Sequence, residues 1–334
     1  MTKKQTIEST IQADTWNGNN VVSVSQFTES AIDALFELTD RLKAMGRSQL
    51  RQWNPLSGYV LSNLFFEAST RSRISFASAF QYLGGSVDNT VGVVFSSISK
   101  GESLSDTIRV VQGYVDVIVL RHFTVGSARI AADNSTTPII NAGDGIGEHP
   151  TQALLDLYTI YNETKRLSDL TIAVVGDLQH GRTVHSLVHL MRLYTNIHIV
   201  AIAPNDLQLP ADSVHALQGS GIRVTQTDDF KVGIATADVI YMTRLQRERF
   251  QSESDYERFE KLFILNRALI ESVCKPDVVI MHPLPRTNEI HPDVDDLNQA
   301  AYFRQTDNGL YVRMALFLLV LLSPSELRNH LNTV

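Results

Sequence analysis

At 334 residues, with 43% apolar and 19% charged side chains, the chain has the composition of a globular protein with a full core. It is long enough for two domains of about 150 residues each. Its net charge of −7 argues against a nucleic-acid partner, which asks for a basic face, and its one cysteine, Cys274, excludes an internal disulfide framework and fits a reducing cytoplasm.

The first twenty residues are polar and carry no apolar signal-peptide segment, and the longest apolar run, 315–322, is far short of the roughly 18–20 residues of a membrane span. A cytoplasmic location and no membrane contact are expected. Thr28 caps a helix with Ile32, Leu35, Phe36 and Leu42 on its inner face, and Gly46 suits the C′ position. An apolar strand over 58–66 leads to the cationic run Ser69-Thr70-Arg71-Ser72-Arg73 and a helix to about residue 83. Further strand-like runs lie at 116–120, 138–141, 171–175, 197–203, 238–242 and 277–281, with helical stretches between most of them, such as 150–161, 181–193 and 266–272. This alternation, with near-continuous Val/Ile strands, predicts an α/β fold of two doubly wound parallel-sheet domains. A boundary near His149-Pro150 separates 1–150 from 151–308. The last helix, 309–322, is apolar nearly all round, so it is expected to be buried and, with 309–334, to pack back on the first domain.

In such sheets ligands sit beyond the C-terminal ends of the strands. Five of the six strand ends that carry polar loops are followed by an arginine: Arg71, Arg121, Arg182, Arg244 and Arg286. Together they describe a cation-lined crevice suited to small polyanions. Arg71 stands out because Ser69, Thr70, Ser72 and a helix N-terminus accompany it, which makes a phosphate cradle. Taken singly, Arg73 and Arg286 read more simply as surface or salt-bridge residues. His149 before Pro150 either caps a helix or, with Gln152 on the same face, adds a donor at the crevice mouth. His185 and His189 are spaced as a metal pair, but no third ligand is spaced to join them, so an exposed helix face is expected. The 176–181 turn lacks dinucleotide-loop spacing, and Cys274 reads as a core thiol.

These segments, in this order and spacing, resemble a known family. Phe65-Phe66-Glu67-Ala68-Ser69-Thr70-Arg71-Ser72-Arg73 resembles the carbamoyl-phosphate signature of the aspartate/ornithine carbamoyltransferase family. The segments His149-Pro150-Thr151-Gln152, Gly176-Asp177-Leu178, Gly181-Arg182-Thr183-Val184-His185-Ser186, Met242-Thr243-Arg244-Leu245-Gln246 and His282-Pro283-Leu284-Pro285-Arg286 extend the resemblance over most of the chain. It implies transfer of a carbamoyl group from carbamoyl phosphate to an amino acid, in an active site between the two domains, with no metal or organic cofactor. Domain 1–150 plus 309–334 would bind carbamoyl phosphate, and 151–308 the amino acid.

By the same resemblance, Ser69, Thr70, Arg71 and Ser72 hold the phosphate. Arg121, His149 and Ser72 face the carbonyl oxygen, and Gln152 with the backbone of Pro283, Leu284 and Pro285 holds the carbamoyl amide. Ser96 and Lys100 belong to a loop that reaches the neighbouring subunit's site, with Lys100 also on the amino acid, which makes a homotrimer the smallest active unit. Arg182 and Arg244, with Thr183 and Gln246, bind two carboxylates. That pair favours L-aspartate over L-ornithine, because the ornithine users carry Cys where Pro283 stands and have a Ser-Met-Gly segment that this chain lacks. The product is then N-carbamoyl-L-aspartate, on the route to UMP. The sequence departs from the family pattern at Ser72, Ser99 and Asn288, and Glu67, Arg182 and Arg249 are candidates for an interdomain bridge. An inactive scaffold in a larger pyrimidine complex and a carbamoyltransferase for another amino acid are the competing readings. The resemblance leaves open regulatory or dihydroorotase chains as partners.

Overall fold

The structure, a computed structural model, describes residues 16–92, 97–245 and 262–333. The chain divides into two compact units, one ending at Leu154 and resumed over Asn308–Val334, the other Leu155–Asp307.

The first unit opens with α1 (Glu29–Trp53), whose first turn is capped by Thr28 Oγ1 accepting from Ala31 N–H at 3.3 Å. Gly46 interrupts this helix, as expected, and joins two helical stretches. At φ 70°, ψ 163° it kinks the chain, and helical geometry resumes to Trp53. Then follow β1 (Val60–Phe65), α2 (Thr70–Tyr82), β2 (Ser86–Val91), α3 (Leu104–Val111), β3 (Val117–His122), α4 (Ser127–Asp133) and β4 (Ile139–Asp144). The four strands form a parallel sheet in the order β2-β1-β3-β4. β1, β3 and β4 are buried almost throughout because helices cover both faces, whereas β2 at the edge is mostly exposed. The β3–β4 register shifts between Leu120 and His122, a bulge that gives β4 one extra residue at its C-terminal end.

The chain passes to the second unit within α5 (Pro150–Thr164). There β5 (Thr171–Val175), α6 (Arg182–Leu190), β6 (His198–Ile202), α7 (Ala211–Gly219), β7 (Arg223–Thr227), α8 (Phe230–Ile234), β8 (Val239–Met242), α9 (Arg267–Val273) and β9 (Val279–Met281) alternate. The sheet is again parallel, in the order β7-β6-β5-β8-β9. Its core gathers Ala173, Val175, Ile202, Ile240, Met242 and Ile280 with Phe230 and Phe263 from the connections.

The return to the first unit lies within α10 (Tyr302–Leu321), which starts seven residues before the expected 309 and is followed by α11 (Pro324–Leu331) with a Ser323–Glu326 capping box. From Asn308 onward it packs on the first unit. Phe317 stands edge-on to Phe76 and Phe80, with centroids 6.0 and 4.9 Å apart, and Arg313 donates to Ser75 Oγ at 2.8 Å while lying over the Phe76 ring. Each fully buried phenylalanine contributes about 1.5–3 kcal/mol, so this face fastens the end of the chain to α2.

Candidate active site

Each sheet reverses its strand order once, between β1 and β3 in the first unit and between β5 and β8 in the second. The C-terminal ends of strands at such a reversal open a crevice for ligands. Arg71, Arg182, Arg244 and Arg286 follow β1, β5, β8 and β9, and Arg121 lies within β3.

In the first unit α2 begins at Thr70, so Thr70, Arg71 and Ser72 form its first turn instead of preceding it. Ser69 is the N-cap residue, yet its hydroxyl makes no cap hydrogen bond, and no acidic side chain sits in the first turn. The side chain therefore does not consume the helix N–H donors, and the dipole is not neutralised locally. Arg71 is exposed and Ser72 half-buried. Arg121 lies inside β3 rather than after it and is buried. Its guanidinium donates to Ala142 O at 3.0 Å and pairs with Glu67 at 3.1 Å. The bulge in β4 lies beside that carbonyl, so Arg121 satisfies a backbone group that the irregular ladder displaces. Glu67, one of the residues assigned to an interdomain bridge, is thus engaged with Arg121. His149, 3% exposed, accepts from Gln152 N–H and Ala153 N–H through its own carbonyl as α5 begins, and its Nδ1 is 3.4 Å from Thr151 Oγ1. Lys100 and Ser99 are exposed at the end of a short 3₁₀ turn. Ser96, Gln246 and Arg249 lie outside the described residues.

In the second unit Gly176 makes the reversal possible. It has φ +121°, and a Cβ there would stand 2.4 Å from Thr243 Oγ1 and 2.5 Å from Thr243 O, so the chains leaving β5 and β8 touch where only glycine fits. Thr243 donates to Val175 O at 2.7 Å, and the half-buried Arg244 follows it. Arg182 and Thr183 open α6 on the neighbouring connection. Arg182 and Arg244 thus follow adjacent strands, paired at Val175 and Met242.

Behind these loops lies a buried polar network that sequence reasoning missed. Tyr241 Oη donates to Asp156 Oδ2 at 2.6 Å, and Gln305 Nε2 donates to Asp156 Oδ1 at 2.6 Å. Burial, then the Asp156 carboxylate, raises the Tyr241 pKa well above its usual value, and Tyr241 also accepts from the Thr183 side chain. Gln305 Oε1 accepts from His282 N–H at 2.9 Å; His282 Nδ1 accepts from Leu284 N–H at 2.7 Å, and its Nε2 is 2.7 Å from Glu289 Oε1. Burial pushes the Glu289 pKa up, but the hydrogen bond from His282, with others from its own backbone and Thr287, outweighs burial and holds the carboxyl well below its usual value. One signal was available in the sequence: Asp156 interrupts the apolar run Ala153-Leu154-Leu155-Asp156-Leu157-Tyr158 at a core position.

Arg286 fits its simpler reading, since it donates to both Asp295 oxygens and, at 3.0 Å, to Tyr302 Oη. It braces the loop after β9. His185 and His189 are half-buried rather than exposed, because α6 packs its length into the unit. His185 Nε2 meets Leu178 O at 2.7 Å, and burial lowers its pKa, so it donates as neutral imidazole. No cluster of three metal-ligating side chains occurs among the described residues. Cys274 is half-buried beside the second core, and burial raises its pKa to about 11.

Comparison with known proteins covers both units. A family model for the aspartate/ornithine carbamoyltransferase carbamoyl-P binding domain matches residues 19–162, and one for the Asp/Orn binding domain of the same family matches 168–320. The aspartate carbamoyltransferase catalytic subunit of Dichelobacter nodosus is 48% identical over 313 residues, 91% of this chain and 90% of that one. The Dictyostelium discoideum multifunctional protein pyr1-3 is 46% identical over 91% of this chain and 13% of its own length. The aspartate transcarbamoylase of Trypanosoma cruzi, solved with carbamoyl phosphate and aspartate, superposes with a TM-score of 0.86 at 39% identity, covering 92% of this chain and 98% of that one.

Proposed function

The chain belongs to the aspartate/ornithine carbamoyltransferase family, and from that premise we infer that it transfers the carbamoyl group of carbamoyl phosphate to the amine of L-aspartate. The products are N-carbamoyl-L-aspartate and phosphate, in pyrimidine biosynthesis. The observation that carries the choice of aspartate is the pair of arginines, Arg182 and Arg244, on adjacent connections of one sheet reversal. A dicarboxylate asks for two guanidinium forks, and each grips a carboxylate in a bidentate way.

In this reading Ser69, Thr70, Arg71 and Ser72 hold the phosphate, Gln152 with Pro283, Leu284 and Pro285 holds the carbamoyl amide, and Thr183 and Gln246 assist the two arginines. The first unit is then the carbamoyl-phosphate domain and the second the aspartate domain. The amine attacks the carbonyl carbon, charge collects on the carbonyl oxygen, and phosphate leaves with the electron pair of the C–O bond and takes up the proton that the amine loses. Arg121, Ser72 and His149 are the donors this reading assigns to that oxygen. A well-placed donor of this kind is worth about 3–4 kcal/mol in the transition state. Binding both substrates at one site removes much of the entropy of their encounter.

We also propose a cytoplasmic homotrimer in which Ser96 and Lys100 complete the neighbour's site. The exposed Lys100 and the exposed apolar Phe123, Val125 and Ile146 of the first unit support it. Full-length chains carrying Lys100→Ala or His149→Ala should each be inactive alone, and a mixture refolded together should regain activity at hybrid sites. No recovery contradicts shared sites.

The experiment for the reaction itself is carbamoylation of L-aspartate and, in parallel, L-ornithine by the purified chain with carbamoyl phosphate. Turnover with aspartate alone is expected; turnover with ornithine, or with neither, overturns the reading.

A further inference from the structure

The segment Pro283-Leu284-Pro285 has an unusual backbone inventory. Its two prolines lack N–H groups, and the N–H of Leu284 is bound to His282 Nδ1 at 2.7 Å. Carbonyl oxygens are what this edge has to offer. Leu284 sits at φ 55°, a conformation costly for a non-glycine residue, so the surrounding structure must hold it there. His282 does the holding, and it is itself fixed at three points: its N–H on Gln305, its Nδ1 on Leu284, and its Nε2 on Glu289 at 2.7 Å. Because Nδ1 must keep a lone pair for Leu284, the ring proton belongs on Nε2, where the Glu289 carboxylate accepts it. His282 is 1% exposed and Glu289 8%, so water does not replace either partner.

We propose that His282 and Glu289 are positioning residues that make 283–285 an acceptor-only edge, and that this edge selects a carbamoyl donor bearing N–H groups over an acyl phosphate that has none. The proposal rests on the carbamoyl-phosphate reading above and assigns its amide selectivity to one imidazole tautomer. A free Leu284 N–H would place a donor against the substrate's own donors, a mismatch that costs binding in ground and transition states alike and appears in KM rather than kcat.

Two substitutions separate positioning from bulk. In His282→Asn the Oδ1 atom stands where Nδ1 was and accepts from Leu284; in His282→Gln the polar atoms stand near Nε2 and leave Leu284 without its acceptor. With the full chain, KM for carbamoyl phosphate should stay within about threefold of wild type in His282→Asn and rise at least tenfold in His282→Gln, with kcat changed less than threefold in both. The ratio of the inhibition constant of acetyl phosphate to that KM should fall about tenfold in the Gln variant alone. Inhibition by inorganic phosphate, which needs only the Ser69–Ser72 cradle, should match wild type in both and shows that the variants are folded. Equal KM values in the two variants, or loss of phosphate inhibition in step with KM, overturn the inference. An inactive wild-type chain would instead overturn the carbamoyl-transfer reading, so the two failures are distinct.

Discussion

The two units present opposite hydrogen-bonding characters. At its sheet reversal the first unit shows donors: an uncapped helix N-terminus, three hydroxyls and Arg71, half-buried or exposed, with no acidic side chain in the first turn. In the second, the loop after β9 shows acceptors, and its donors are tied inward through His282, Gln305 and Asp156. A phosphate carries only acceptors and an amide nitrogen carries donors, so the first surface suits a phosphate and the second an amide. Donors for an anion are left waiting at a helix end, whereas an acceptor edge has to be built by occupying every N–H that would spoil it.

The largest way to break this contrast is Arg71→Ala. Loss of a cation on the leaving group should lower kcat/KM for carbamoyl phosphate about 10³-fold, near 4 kcal/mol, without moving the melting temperature, as steady-state kinetics and calorimetry would read. Arg244→Ala in the second unit should raise KM for aspartate about 100-fold, and Arg244→Lys should restore only part of it, because an ammonium cannot replace a bidentate fork.

The network behind the second unit's loops predicts the reverse pattern. Tyr241→Phe leaves the buried Asp156 short of a donor, which should cost about 2 kcal/mol and roughly 4–8 °C in melting temperature. Ser69→Ala, at a residue with no cap bond, should leave the melting curve in place and raise KM for carbamoyl phosphate instead. The smallest effect concerns acid. The folded Glu289 carboxyl, at about 2, lies below its ordinary 4.5, so its contribution to stability is complete above pH 4.5 and is lost as pH falls toward 2. Glu289→Gln, which keeps an acceptor for His282, should flatten that part of the acid-denaturation curve.

What the sequence made legible follows the same physics. The central strands are near-continuous apolar runs because helices cover both faces, and 171–175 was read with its observed ends. The strands that escaped notice, β2 and β7, are sheet edges whose exposed positions carry Asp88, Asn89, Arg223 and Gln226, so no apolar period marks them. Gly46 was readable as an interruption because glycine tolerates a positive φ, whereas the helical stretch that runs on to Trp53 was not. The donor residues were readable because hydroxyls and arginine beside a helix start form a local pattern. The 283–285 edge was reached only through the family resemblance, and what supports it was not legible, since it depends on contacts from Leu284 to His282, from His282 to Glu289 and to Gln305, and from Gln305 to Asp156, which no spacing rule connects.

The measurement that tests the division of labour most directly is a crystal structure of the full chain with a bisubstrate analogue carrying one phosphonate and two carboxylates. The phosphonate is expected on the first turn of α2, with Arg71 and the N–H groups after Ser69, and the carboxylates on Arg182 and Arg244. A phosphonate held by the arginines of the second unit, or carboxylates seated on the α2 N-terminus, would contradict the account.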